Sequence, residues 1–131
     1  APQNSALVGL VNTIAPAIVS GNTIVVVAAS KLPLSAITLT EVLATSDLPG
    51  GVVNVLTGLE SEIGPWLASH QDVNAVDLEG ASSPVELEIA AAETIKRVIR
   101  KDSYGRTGSK GSFSHITDLM EVKTVWHPKG H

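Results

Sequence analysis

"IAPAIVSGNTIVVV" (residues 14–27) and, beyond one further helical segment, "LPGGVVNVLTG" (residues 48–58) decide the fold of this chain. The first closes an apolar stripe of Leu7, Leu10, Val11, Ile14 and Ile18, whose spacing puts these side chains on one face of a helix from Ser5 to about Val19. Pro16 removes one backbone donor and is expected to kink that helix. SGNT ends it, and TIVVVAA, continuous and β-branched, reads as a strand covered on both faces. A helix over Leu34 to about Ser46 follows, carrying Ile37, Leu39, Val42 and Leu43, and DLPGG turns the chain into a second strand, VVNVLTG.

Working outward, Gly64 to His70 reads as a short helix with Pro65 in its first turn, and VNAVDLEG (residues 73–80) as a third strand. SSPVELEIAAAETIKRVI (residues 82–99) predicts a helix with Ser83 at its N-cap, Pro84 at the first helical position and Glu86 completing a capping box. Strand and helix thus alternate through residue 99, which implies right-handed crossovers and a doubly wound α/β sheet. Residues 100–118 are rich in Gly and Ser, lack apolar periodicity and read as a linker. LMEVKTVW (residues 119–126) alternates apolar and polar residues and predicts one late strand with a solvated face. No partner lies near it in sequence, so it must pair with a distant strand or with another chain.

Composition narrows the functional classes. A chain of 131 residues makes one domain at most, and with one Phe and one Tyr its core must be aliphatic. The net charge of −4 lacks the basic excess that drives binding to nucleic acid or to membrane surfaces. No cysteine is present, which removes thiolate metal sites and thiol nucleophiles from this stretch and favours a reducing, cytoplasmic setting. No apolar run is long enough to span a bilayer.

Motifs with catalytic or ligand-binding chemistry are sparse. No G-x-G-x-x-G follows a strand, and GRTGSKGS lacks the spacing and the strand-to-helix setting of a phosphate-binding loop. The glycines of SGNT and LTG are read as turn chemistry. His127 and His131 are four residues apart, but the Pro and Gly between them prevent the helical face that would make them a zinc site, so no metal is expected. Lys96, Arg97, Arg100, Lys101, Arg106 and Lys110 could meet a phosphate or an acidic partner, although a helix end favours such cations through its dipole alone. Glu86, Glu88 and Glu93 fit a solvated helix face.

Taken together, these segments resemble the aldehyde dehydrogenase superfamily. Its members carry a segment of the form PWNFP...IAPAL..GNTVV..KPSE, then LPPGVLNVVTG, a strand ending FTGS, and a helix ending LKRV. Here Pro2 and Asn4 of APQN, IAPAIVSGNTIVVV, DLPGGVVNVLTG, VDLEGAS and TIKRV occupy the same order across about residues 2–99. KDSYGRTGSKGS...LMEVKTVW is similar to a degraded form of the family's C-terminal K-x-S-G-x-G-R-E-x-G...Y-x-E-V-K-T-V.

The resemblance implies an incomplete Rossmann-like, three-layer, doubly wound α/β fold of aldehyde dehydrogenase type. Residues 1–99 would be a portion of the cofactor domain, 100–118 the linker, and 119–131 an oligomerisation strand and tail. In relatives a strand precedes the PWN segment, so that strand is expected from residues before Ala1 or from another polypeptide; the family's catalytic domain would fall between Val98 and Lys101, and residues around 99–106 could hide a collapsed gap. Asn4 takes the position of the oxyanion-stabilising Asn.

By the same resemblance, Val27 and Ser30 stand where the family has the Lys and Glu of KPSE. Leu78, Glu79, Gly80 and Ala81 stand for FTGS, so Val27, Ser30, Gly80 and Ala81 are the candidate cofactor positions, mostly substituted. Neither the nucleophilic cysteine nor the general-base glutamate has a counterpart. These departures imply a non-catalytic subunit or fragment that assembles with itself or with a full-length relative through Glu121 to Trp126. The alternatives are a part of an active enzyme using NAD or NADP to oxidise an aldehyde to an acid, and a binder of phosphate or acidic partners through Arg97 to Lys110.

Overall fold

The computed structural model describes residues 1–100 and 113–128. Helix α1 (Val8–Val19) leads to strand β1 (Ile24–Val27), helix α2 (Pro33–Ala44) to β2 (Val53–Leu56), helix α3 (Glu60–Ser69) to β3 (Ala75–Asp77), and helix α4 (Pro84–Ala92) to β4 (Arg97–Ile99); a single turn, α5 (Ser114–Thr117), follows. β1 pairs with β2 and β3 with β4, both in parallel, with Ile24 opposite Val53 and Ala75 opposite Arg97. β1 and β3 lie on opposite walls of one cleft and share no ladder. The strand order is therefore β2, β1, cleft, β3, β4, and right-handed crossovers running outward in opposite directions put α2 and α4 on opposite faces. This is an incomplete α/β, Rossmann-like arrangement.

Local chemistry explains most element boundaries. α1 ends in a Schellman motif: Asn22 N–H donates to the Ala17 carbonyl at 3.0 Å and Gly21 N–H to the Ile18 carbonyl at 3.1 Å. Gly21 holds φ +81°, a conformation a side chain disfavours, so the glycine of SGNT is turn chemistry as expected. Pro33 and Pro84 open α2 and α4 at the first helical turn, where a missing N–H costs nothing. Ser83 is the N-cap residue of α4 but its hydroxyl makes no cap hydrogen bond, so the expected capping box does not form.

Two small cores hold the layers together. Leu10 and Ile14 of α1 pack with Val26, Ala28 and Ala36, flanked by Leu39, Val53 and Val55. Ala68, Leu78 and Leu87 form the second, flanked by Val76, Ala90 and Val98. Most of the buried apolar side chains are alanines, and Leu10 is the one large side chain that is fully buried among the described residues. No helix among them is long and apolar enough to cross a membrane.

The structure corrects several expectations. β1 is not covered on both faces, since Val25 keeps 46 % of its surface exposed. α3 begins at Glu60 rather than Gly64, which moves Pro65 from the first turn to the helix interior. The long helix expected over residues 82–99 stops at Ala92: Ile95 turns to φ 53° and residues 97–99 become β4, pairing with the edge of β3, whose backbone groups a helical continuation would have left without these partners.

Residues 119–126 form no strand, and the expected linker contains α5. A strand exists only against a partner edge, and among the described residues this segment meets none; it is held by side-chain bonds to its carbonyls instead. Truncating Leu10 to Ala removes the largest buried side chain and is expected to lower stability by about 2–5 kcal/mol. Urea unfolding checks this, with exposed Val8→Ala as the comparison that moves the midpoint little.

Candidate functional site

In an open α/β sheet, ligands bind beyond the carboxyl ends of the strands, where the order reverses. In this chain that region lies after Val27 and after Asp77, and the first three residues of the chain cover it. The Ala1 ammonium donates to the Val27 carbonyl at 2.8 Å. Gln3 Oε1 accepts from the Ser30 N–H at 2.9 Å and from the Ser30 hydroxyl at 3.2 Å. A Cβ at Gly80 would lie 2.6 Å from the Pro2 nitrogen and 2.7 Å from the Ala1 carbonyl carbon, so the absence of a side chain there is what lets the segment close down on the strand end.

The loop from β3 into α4 is engaged in the same way. The Glu60 carboxylate accepts from the Ser82 N–H at 2.9 Å and from the Ser82 hydroxyl at 3.0 Å. Asp77 accepts from the Glu79 N–H at 2.9 Å. The mass of protein around Asp77 disfavours its charge and pushes its carboxyl above the ordinary 3.8; the Glu79 N–H bond pulls it down, the Glu79 charge pushes it up, and the Ala1 ammonium and His115 pull it down again. Burial holds the Ala1 ammonium below its ordinary 8.0, against the pull of Asp77 and then Glu60.

The cationic residues do not converge on this region. Lys96 donates to the His70 carbonyl and the Thr94 hydroxyl, Arg97 to the Met120 carbonyl, and Arg100 pairs with Glu88 at 2.5 Å. Each of the three is thus tied to its own chain, as helix-end and tail-anchoring contacts would have it. Lys101, Arg106 and Lys110 lie outside the described residues, as does His131. No three potential metal ligands gather among the described residues.

The model of the aldehyde dehydrogenase family matches residues 1–101. The chain belongs to the aldehyde dehydrogenase family. Human aldehyde dehydrogenase 1A1 is 35% identical over 99 residues, which is 74% of this chain and 20% of that protein. Hydroxyisobutyraldehyde dehydrogenase of Mycolicibacterium austroafricanum is 41% identical over 81 residues, 62% of this chain and 16% of that one. The aldehyde dehydrogenase of Bartonella henselae superposes with a TM-score of 0.65 at 29% identity, over 70% of this chain and 19% of its own. A mutant of aldehyde dehydrogenase C from Pseudomonas syringae, solved in complex with NAD+ and octanal, does so with a TM-score of 0.61 at 30% identity, with the same coverage. The chain spans about a fifth of the length of the relatives it matches.

Among the family positions, Val27, Ser30, Gly80 and Ala81 come together at the two strand ends, joined through Ala1 to Gln3. Asn4 sits exposed in the turn after them. What sequence reasoning missed are Gln3 and Glu60, whose contacts reach 27 and 22 residues along the chain and leave no local pattern.

The residues at these strand ends do not fit a dinucleotide pyrophosphate. The Ser30 and Ser82 N–H groups that could meet an anion already serve side-chain oxygens, and Glu60, Asp77 and Glu79 put negative charge where phosphate would come. Because Asp77 is harder to ionise folded than unfolded, the fold holds the extra proton between pH 3.8 and the raised value, and stability falls as pH rises through that window. Asp77→Asn, which keeps an acceptor for the Glu79 N–H, is expected to flatten that fall in urea unfolding at a series of pH values, with solvent at the exposed side chain keeping the effect small.

Proposed function

We propose that this chain is a non-catalytic, aldehyde dehydrogenase-like subunit whose role is assembly rather than aldehyde oxidation. The observation that carries this reading is the engagement of the strand ends by the chain's own Gln3 and Glu60 oxygens, which compete for the N–H donors an anionic cofactor would need. The sequence adds that no cysteine is available for a thiohemiacetal. Its partner is a second copy or a full-length relative, in a cytoplasmic setting. The contact is the segment from Glu121 to Trp126, where Val122, Val125 and Trp126 are 88, 68 and 89 % exposed, more apolar surface than a lone tail tolerates well.

A second reading, in which the same residues form part of an active NAD- or NADP-dependent aldehyde dehydrogenase, draws support from the 20% coverage of the relatives and from the NAD+ complex of the Pseudomonas syringae neighbour. In that setting Asn4 would stabilise an oxyanion, and residues outside this sequence would provide the thiol and the base.

Calorimetric titration with NAD+ and NADP+, together with absorbance at the reduced-nicotinamide band on adding an aliphatic aldehyde, separates the two. The assembly reading expects no affinity tighter than about 1 mM and no aldehyde-dependent reduction. It further expects that deleting residues 119–126 dissociates the oligomer seen by native mass spectrometry. Reduction of either nucleotide by the purified protein would overturn it.

A further inference from the structure

Ile95 carries two marks of a residue held against its own preference. Its φ of 53° lies in the left-handed region, where a β-branched side chain crowds its own backbone, and its apolar side chain is 94 % exposed. Strain of this kind persists only where the surroundings over-determine it, so what matters is which contacts hold the turn between α4 and β4.

The holding contacts are few. β4 pairs with β3 over three residues, and Val98 packs against the second core. Lys96 donates to the His70 carbonyl at the end of α3 and to the Thr94 hydroxyl, which fastens the residue next to Ile95. Arg97 donates to the Met120 carbonyl. Against these contacts stands the sequence pattern. Leu87 and Ala91 are the buried residues of α4, and Ile95 follows them at the same four-residue step. A helix continued through residue 98 would return Ile95 to right-handed backbone, on the stripe that faces the core. It would also set Glu93 one turn before Arg97, the favourable order for an ion pair along a helix.

We propose that residues 93–99 are a two-state latch. In the strand form β4 pairs with β3 and Ile95 bears the strain; in a minor form α4 runs on through the segment, releases β3 and exchanges the Arg97 contact with Met120 for one with Glu93. The backbone at Ile95 sets the balance between them. Because Arg97 anchors the start of residues 119–126 only in the strand form, the latch also governs how firmly the assembly segment is held. That coupling rests on the assembly role proposed above; the latch itself does not.

The test is amide hydrogen exchange on the chain and three variants, read as protection factors. Arg97 and Leu78, which donate to the Asn74 and Ile99 carbonyls across the β3–β4 pair, report the latch, and Ile24 and Ala28, bonded to the β2 side, report the other half-sheet. Ile95→Gly and Ile95→Asn accept the left-handed region and are expected to raise protection at Arg97 and Leu78 about fivefold or more. Lys96→Met removes the bonds to His70 and Thr94 while keeping a good helix former; it is expected to lower protection by a similar factor and to move the Cα chemical shifts of residues 94–98 toward helical values. Ile24 and Ala28 are expected to stay unchanged.

Unchanged protection in the glycine and asparagine variants overturns the latch, and so does an equal change at Ile24 and Ala28, which would make the opening global. Lowered protection in Lys96→Met with shifts moving toward unstructured values overturns the helical form. If Lys96→Met fails to fold, the other two variants decide. Native mass spectrometry reads the coupling: Lys96→Met is expected to reduce the oligomeric share about fivefold at equal concentration, and an unchanged share overturns it. A parent chain that is monomeric overturns the assembly role instead, and the exchange data then decide the latch alone.

Discussion

A parallel strand has two hydrogen-bonding edges, and among the described residues β1 and β3 each pair along only one of them. The rest of the architecture follows from this constraint. β2 and β4 lie outward because they pair with the edges turned away from the cleft, and their crossover helices cover opposite faces. The two apolar cores are separate because no ladder joins the half-sheets, and each is small because each serves only two strands. Alanine-rich burial suits such thin layers, where backbones approach closely and little volume is left for larger side chains.

The same constraint shapes the chemistry at the strand ends. Ala1 to Gln3 follow the unpaired edge of β1 and bring a buried ammonium and an amide oxygen to the region where an α/β sheet ordinarily receives its ligand. Glu60, at the start of α3, reaches across to the loop before α4 and gives Ser82 the acceptor that a phosphate oxygen would otherwise be. The protein around Asp77, and after it the Glu79 charge, disfavour its carboxylate, which is why Asp77 holds its proton more tightly than a free side chain. The strands are held by backbone pairing and by aliphatic packing, neither of which uses the polar residues at the strand ends.

Whatever depends on local covalent chemistry was legible in the sequence. Helical spacing gave α1 and its buried Leu10 and Ile14, β-branching gave β1, Pro84 marked the opening of α4, and SGNT the turn at Gly21. What depends on a distant partner was not. TIKRVI keeps helical periodicity yet ends as β4, because the edge of β3 offers bonds that the periodicity cannot foresee. LMEVKTVW alternates like a strand yet stays irregular among the described residues, because alternation is a preference and a ladder is an interaction. In the candidate site, Gly80 was singled out only through the family resemblance, whereas Gln3 and Glu60 act through tertiary contacts that leave no local pattern.

The turn that ends α1 also fixes the far end of the chain. Asn22, the last residue of that Schellman motif, donates its side-chain amide to the Leu119 carbonyl at 3.0 Å, a contact 97 residues apart in sequence. Closing a loop of that length is entropically costly before it is rewarded, so this bond can form only once the α1 turn already holds Asn22 in place. Docking of the segment after Leu119 is accordingly a later event in folding than pairing of β1 with β2, whose contacts span far fewer residues.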